Sequence, residues 1–337
     1  MKLRVGLVGM GQDWESRHAP AFRALSDRFQ ITAICSGVAL RAERIAAEFN
    51  SVAVDGFRAL ARREDVDAVM ILSPEWYGSL PILAACESSK AIYCAPAFEM
   101  GLEEARRVKS RVEEAGVAFM AEFPRRHAAA TLRLKELIAT RLGNPQYVFC
   151  HLRKAVPETH EGNKKSAVRI ANRALFELVD WCRYVVSEPV TSVTSVRKNK
   201  GDFYGGHYQT VCLDFSQRDH WGSGPLAEIS CGHYMPSGWK EAITFRPPAA
   251  MQVCCDNGVA FVDLPNSLVW FDDAGRHMES LESERPIGEQ MLSLFHRSIT
   301  SLVRRRNDLE DAYQAIEIVL NAQRSAIEGR RIETELS

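Results

Sequence analysis

The sequence predicts a two-domain α/β protein: a doubly wound parallel sheet first, then a strand-rich α/β domain. Three observations predict it. The chain has 337 residues, more than one ordinary core holds and enough for two domains of roughly 120–220 residues. Strand-like and helical patterns alternate over the first third. From Val190 to Phe271 strand-like runs instead follow one another, separated by glycine and proline turns, as in an antiparallel or mixed sheet.

The first third begins with Leu3–Val8, a short run rich in β-branched residues that ends in Gly9-Met10-Gly11. A helix is expected to about Leu25, starting near Ala19 because Pro20 suits a first turn. A strand follows at Ile31–Cys35, then a helix over Ala39–Phe49 with Ala42, Ile45, Ala46 and Phe49 on one face. Ala68–Leu72, Ala91–Cys94 and Val117–Ala121 read as buried strands. Leu80–Glu87 and Leu102–Ala115 read as the helices between them, the second stopped by Gly116. Such βαβ units cross over right-handed.

Further on, Ala128–Leu142 reads as a helix ending at Gly143-Asn144-Pro145, Gln146–Leu152 as a strand, and Ala174–Val186 as a helix. Val190–Val196, Tyr208–Phe215, Leu226–Gly232, Ala250–Cys255 and Val259–Val262 are strand-like. Two helices, Glu289–Val303 and Leu309–Glu328, close the chain. The domains are expected at residues 1–122 and 123–337, with the terminal helices packing back on the first.

Composition narrows the function classes. Apolar residues make up 46% and charged residues 25%, which is globular and neither disordered nor fibrous. A net charge of −1 gives no footprint for nucleic acid. The one basic run, Arg304-Arg305-Arg306, is flanked by Asp308, Glu310 and Asp311. Nine cysteines are scattered without C-x-x-C spacing, as reduced thiols in a cytoplasmic protein rather than disulfides or a zinc site. The N-terminal apolar stretch is too short for a signal sequence and no stretch is long enough for a membrane span, so no membrane partner is expected.

Gly6-Leu7-Val8-Gly9-Met10-Gly11 lies between a strand and a helix, the context of a Rossmann dinucleotide loop. Gly9 permits the turn, and Gly11 with Gln12 would let the backbone approach a pyrophosphate. Trp14 stands where a third glycine is usual, and Asp13 and Glu15 would oppose phosphate unless turned to solvent. Strand two lacks the terminal carboxylate that receives an NAD ribose. It ends in Cys35-Ser36-Gly37 with Arg41 beyond, which suits a 2′-phosphate. NADP is therefore the expected cofactor, NAD the alternative; Arg41 also fits a solvated helix face.

These residues resemble the glucose–fructose oxidoreductase, inositol dehydrogenase and rhizopine-catabolism (Gfo/Idh/MocA) family. The matching patterns run in order: Gly6–Gly11 with His18, the helix from Arg41 to Phe49, Asp65-Val66-Asp67-Ala68-Val69 leading to Ser73-Pro74, and Leu102-Glu103-Glu104-Ala105. Phe123–His127 before Leu132–Ile138, Gly143-Asn144-Pro145, and Ala322–Gly329 complete the series. The resemblance implies a Rossmann domain, then an α/β domain with a large open, mostly antiparallel sheet often used for oligomerisation. It implies hydride transfer between a nicotinamide and a sugar- or polyol-like substrate, with Ser73, Pro74 and Tyr77 near the cofactor.

The family's Glu-Lys-Pro motif is absent. After Cys94 the chain reads Ala95-Pro96-Ala97, and Lys90 lies at the strand's other end. The helix motif H-x-x-D appears as Glu177-Leu178-Val179-Asp180, and the family's preceding aspartate falls at Arg173. Glu177, Asp180 and His127 are therefore the candidate catalytic groups. Glu177 and Asp180, three apart, share a helix face, and Glu177 would need burial to act as an acid. Structural capping or pairing of Asp180, with Glu177 in an ion pair with Arg173 or Arg169, is the competing reading. Arg126 is a candidate for an anionic substrate or for fixing the domain junction. Lys164, in the polar loop from His160 to Lys165, is a candidate substrate ligand or a surface residue. Trp76 and Tyr77 are candidates for stacking on the nicotinamide or on neighbouring loops. His207 and His233 sit beside glycines without a convergent metal set, and no metal is expected.

The expected function is NAD(P)-dependent oxidation or reduction of a carbohydrate-like small molecule by a homo-oligomer, using a non-standard proton-transfer group. The alternative is a catalytically inactive dinucleotide- or sugar-binding regulatory relative.

Overall fold

A computed structural model describes residues 1–73, 77–95, 100–156, 164–199, 207–282, 285–301 and 307–335, with backbone alone at 164–171, 199, 240, 243 and 307. The chain forms two units: Met1–Pro124 with Glu284–Ile316, and Arg125–Ser283 with Glu317–Ser337.

The first unit begins with β1 (Leu3–Val8), a π-turn over Trp14–His18 and the short α1 (Ala19–Ala24). Then follow β2 (Phe29–Cys35), α2 (Ala39–Glu48), β3 (Val52–Ala53), α3 (Phe57–Ala61), β4 (Ala68–Ile71), α4 (Leu80–Glu87), β5 (Ala91–Cys94), α5 (Leu102–Ala115) and β6 (Phe119–Ala121). The six strands pair in the order β3-β2-β1-β4-β5-β6, all parallel. The order reverses between β1 and β4, which is where a doubly wound sheet opens its ligand crevice. Gly116 ends α5 in the left-handed region (φ 61°), as its place after the last helical residue predicts.

In the second unit, α6 (Ala129–Leu137), β7 (Pro145–Ala155), α7 (Lys164–Val186), β8 (Ser192–Asn199), β9 (His207–Asp214), β10 (Leu226–Met235) and α8 (Lys240–Thr244) come first. Two hairpins follow: β11 (Met251–Cys255) with β12 (Gly258–Asp263), and β13 (Ser267–Asp272) with β14 (Gly275–Ser280). The chain then re-enters the first unit through α9 (Ile287–Thr300), runs along α10 (Asn307–Glu328) and ends with β15 (Ile332–Glu333) back on the second. The nine-stranded sheet has the order β14-β13-β12-β11-β7-β10-β9-β8-β15. Only the β7–β10 pair is parallel.

The α/β fold class is therefore as the sequence predicts, with its elements redrawn in places. α7 begins ten residues before the predicted Ala174: its first turns carry Ala167, Ile170 and Ala171 at helical spacing with Ala174, a short apolar stripe among polar residues that the sequence reading passed over. β3, β14 and β15 escape the sequence reading: the first and last are two residues long, and β14 is mostly exposed and polar.

The first core holds Leu3, Val5, Leu7, Phe22, Phe29, Ile31, Met70 and Met120, completed by Met291, Leu292 and Phe295 of α9. Trp14, at the site of the absent third glycine, is 1% exposed and packs its ring on Phe22 and Phe49. The motif's departure is thus a gain of core: burying so large an aromatic contributes about 3–5 kcal/mol as read by truncation to alanine. In the second unit α7 sends Leu175, Val179, Trp181 and Cys182 into the sheet core. Among the described residues no helix is long and apolar enough to cross a membrane.

Candidate active site

The crevice between β1 and β4 is built by two glycines. Gly9 has φ +72°, and a Cβ there would stand 2.5 Å from the Ser73 Cβ. A Cβ on Gly11 would stand 2.2 Å from the Leu72 carbonyl oxygen, which is backbone and has no room to move. Both glycines thus bring the loop after β1 onto the loop after β4, with Ser73 buried between them. The Gly9 N–H donates to Cys35 O at 2.8 Å, and Trp14 N–H to Gly11 O at 3.2 Å. The Gly11 and Gln12 N–H groups donate to no carbonyl among the described residues, and Gln12 is exposed, so two adjacent donors remain for an anion. The nearby carboxylates leave the loop clear. Asp13 lies 3.5 Å from Arg17, and Glu15 is turned to solvent 3.9 Å from Arg44.

The ribose end lies where β2 runs into α2. Ser36 Oγ accepts from Val38 N–H at 3.3 Å, Gly37 is exposed, and Arg41 is half-exposed with no ion-pair partner among the described residues. Tyr77 also belongs here: its hydroxyl contacts Cys35 and the Gly37 backbone, and its ring meets Phe57 edge-on at 5.8 Å. Burial, with the neighbouring Cys35, pushes the phenol up to about 12. It is therefore a neutral hydroxyl at the end of β2, not a ring free to stack. Pro74 and Trp76 lie outside the described residues.

Next to the crevice is a polar cluster that sequence reading missed. Glu122 directly follows β6 and is fully buried. Its Oε1 accepts from Arg17 and its Oε2 lies 3.0 Å from His18 Nε2. Burial alone would raise this carboxyl, but His18 and Arg17 outweigh it and hold it at about 2. The buried Tyr93 hydroxyl is pushed well above its ordinary value by desolvation and by the same carboxylate. The cluster ties the turn behind the glycine loop to β5 and β6. A glutamate closing the apolar run Phe119-Met120-Ala121 was its one sequence signal; its partners lie over a hundred positions away.

In the second unit the predicted catalytic helix face is engaged in ion pairs. Asp180 is 1% exposed and accepts two bonds from Arg126, one of them from Nε at 2.8 Å. Arg126 also lies over the Tyr184 ring at 5.1 Å. Glu177 sits between Arg173 (3.3 Å) and Arg125 (3.5 Å), and Arg125 covers Trp181 at 5.3 Å. Trp181 in turn donates its indole N–H to Thr131 at 3.0 Å. Arg126 is thus held by Asp180, which is the structural one of its two readings. Glu177 keeps partial exposure beside two guanidiniums. His127 closes the 3₁₀ turn Pro124–His127 and is half-exposed. Lys164 opens α7, with its side chain outside the described residues. Ala95 donates its N–H to Ile71 O at 2.9 Å, and residues 96–99, the rest of the segment where the family's lysine would fall, are outside the described residues. No group of three metal-ligating side chains occurs among the described residues.

Comparison with known proteins gives this geometry a context. Residues 3–123 match the model of the GFO_IDH_MocA oxidoreductase family, described as an NAD-binding Rossmann fold. An inositol 2-dehydrogenase of Saccharopolyspora erythraea is 26% identical over 203 residues, which is 59% of this chain and 58% of that protein. One from Rhodococcus erythropolis is 30% identical over 200 residues, 58% of this chain and 56% of that protein. The chain thus spans less than three fifths of the length of these relatives. Among solved structures, an oxidoreductase of Thermotoga maritima superposes with a TM-score of 0.82 at 17% identity, covering 99% of this chain and 98% of that one. The aldose-aldose oxidoreductase of Caulobacter crescentus, complexed with glycerol, gives 0.82 at 14% identity over 99% and 100%. At such identities the superpositions establish the fold.

Proposed function

With a Rossmann domain that belongs to the Gfo/Idh/MocA oxidoreductase family, this chain is, we propose, an NAD(P)-dependent oxidoreductase acting on a sugar- or polyol-like substrate. The observation that carries the reading is the crevice between β1 and β4, closed by Gly9 and Gly11, with the Gly11 and Gln12 N–H groups left as donors. Inositol dehydrogenases among the relatives suggest the polyol class. The nicotinamide, when bound, supplies the two-electron chemistry. The chain's own residues hold the dinucleotide and move a proton. Gly11 and Gln12 would meet the pyrophosphate, and Ser36, Gly37 and Arg41 the ribose end.

At that end no carboxylate closes β2, and Arg41 has no competing partner, so NADP is the preferred cofactor. Arg41→Ala is expected to weaken NADP binding by about ten- to a hundredfold, the loss of one charge-assisted contact, while NAD binding stays unchanged. Calorimetric titration of both dinucleotides reads this directly; equal losses for both would remove the 2′-phosphate role.

For proton transfer Glu177 is the first candidate, taking the substrate hydroxyl proton at a carboxylate oxygen that Arg125 and Arg173 hold in place. His127 is the second. Glu177→Gln is expected to lower kcat by roughly 10²–10⁴-fold with little change in KM. Steady-state turnover of a polyol panel with NADP tests it, and an unchanged kcat would reassign Glu177 to structure. One observation favours a second reading, a dinucleotide- or sugar-binding regulatory relative: Asp180 is paired with Arg126 and Glu177 is flanked by two arginines. Steady turnover would dispose of it.

We place the protein in the cytoplasm because all nine cysteines are free thiols. A homo-oligomer is also part of the proposal. Tyr147, Val196, Phe271 and Met278 stand exposed on the face of the nine-stranded sheet opposite its buried core, a face suited to a second copy.

A further inference from the structure

The buried face of the nine-stranded sheet ends in a row of cationic and imidazole groups that the proton-transfer reading leaves unused. Register places Lys154 of β7, His233 of β10 and His207 of β9 side by side across three adjacent strands. Side chains at paired positions share a face. On β8, Arg197 pairs with Gln209, two residues along β9 from His207. The two imidazoles lie 6.3 Å apart, tilted by 34°.

Two of their polar atoms lack partners. His207 Nε2 and Arg197 Nε are both buried with no hydrogen bond. Leaving such polar atoms unmatched costs about 1–3 kcal/mol each, more for a charged group, so a fold that keeps two of them has something to gain from a ligand. The charge around them has one sign. Burial pushes His207 down to about 4, helped by the positive Arg197 and by His233. His233 is pushed down by burial and by Lys154. No carboxylate among the described residues offsets these cations at either ring. A metal ion is the wrong guest: only two imidazoles converge, and a guanidinium and an ammonium would repel a dication. An oxyanion matches the guanidinium and the ammonium, neither of which is claimed by an acid among the described residues, and a neutral imidazole has one N–H to offer it.

We infer that Arg197, His207, His233 and Lys154 form an oxyanion subsite, and that the polyol-like substrate therefore carries a carboxylate or a phosphate. This inference rests on the oxidoreductase reading for its substrate, but the subsite is testable without turnover. The experiment titrates the full-length protein, with NADP present and absent, against gluconate, glucose 6-phosphate and neutral glucose by calorimetry. The expected result is that one of the two anions binds at least tenfold more tightly than glucose, and which one it is identifies the group. R197Q and H207Q are each expected to reduce that affinity at least tenfold while leaving NADP affinity unchanged, which also reports that the variants are folded. K154Q, at an exposed position, gives a smaller loss in a side chain that the fold does not need.

Three equal affinities, or variants that bind the anion like the parent, overturn the subsite even where NADP binds and a neutral polyol turns over. Anion binding that R197Q abolishes, in a protein that binds no dinucleotide, sustains the subsite and removes the oxidoreductase reading instead.

Discussion

Gly11→Ala is expected to cost this protein its dinucleotide. The added methyl would have to occupy a point 2.2 Å from the Leu72 carbonyl oxygen, well inside any real contact, and the obstacle is main chain. The loop after β1 must therefore move away from the loop after β4, and the Gly11 and Gln12 donors move with it. Forcing a methyl into packed backbone costs about 1–3 kcal/mol, and if that strain is relieved by displacing the donors, affinity falls by up to roughly a hundredfold. Titration with NADP against the parent measures the loss, and circular dichroism checks that the domain still folds. At Gly9 an alanine would suffer twice, from a 2.5 Å approach to Ser73 and from φ +72°. Retained NADP affinity in Gly11→Ala would mean that the donors lie elsewhere.

The second large effect belongs to Glu122. Its carboxyl is held at about 2 in the folded protein against an ordinary value of 4.5. A lowered folded value means that the carboxylate contributes its full stability above about pH 4.5. That contribution drains away as the pH falls from about 4.5 through 2, and it is gone only below 2, where the carboxyl is protonated in both states. The difference corresponds to something on the order of 3 kcal/mol. Glu122→Gln should lose a comparable amount at neutral pH, about 3–5 kcal/mol if Arg17 and His18 are left without their counter-charge. The variant's stability should then depend much less on pH between 5 and 2. Urea unfolding of the parent and the variant at pH 7 and pH 3 measures both effects. Parallel acid sensitivity in the two proteins would show that other carboxylates govern it.

What the sequence made legible is what local periodicity encodes. Leu3–Val8 running into Gly9 and Gly11, or Leu102–Ala115 stopped by Gly116, carries its own structure in neighbouring residues. The β14 strand carries none, since a mostly exposed strand need not alternate. The site divides the same way. Ser36, Gly37 and Arg41 share one turn, and their adjacency could be read directly. A structural pairing of Asp180 could be weighed from the sequence, but its partner could not be named, because Arg126 lies 54 positions upstream. Tyr77 was associated with the loop it follows, whereas its hydroxyl reaches across to the end of β2. Long-range pairing of charges leaves almost no trace in a single sequence: the Glu122 cluster and the Arg125–Glu177 pair are of that kind, whereas Arg173–Glu177, four residues apart on one helix, was readable.

The return of α9 to the first unit bears on how the protein is made. Gly288 packs so closely on Arg17 that a Cβ would lie 2.6 Å from its carbonyl oxygen, and Phe295 stacks edge-on against Tyr93 at 5.4 Å. The cofactor-binding half is thus a discontinuous module whose last wall is synthesised after the entire second sheet. A nascent chain that has delivered residues 1–124 from the ribosome still shows the apolar surface that Met291, Leu292 and Phe295 will cover. Vectorial folding cannot finish the first half first. The second half, by contrast, can pair its strands up to Ser280 before α9 emerges, and it waits for the end of the chain for the last turns of α10, whose Ser325 Oγ accepts from Ser195 N–H, and for the short edge strand β15.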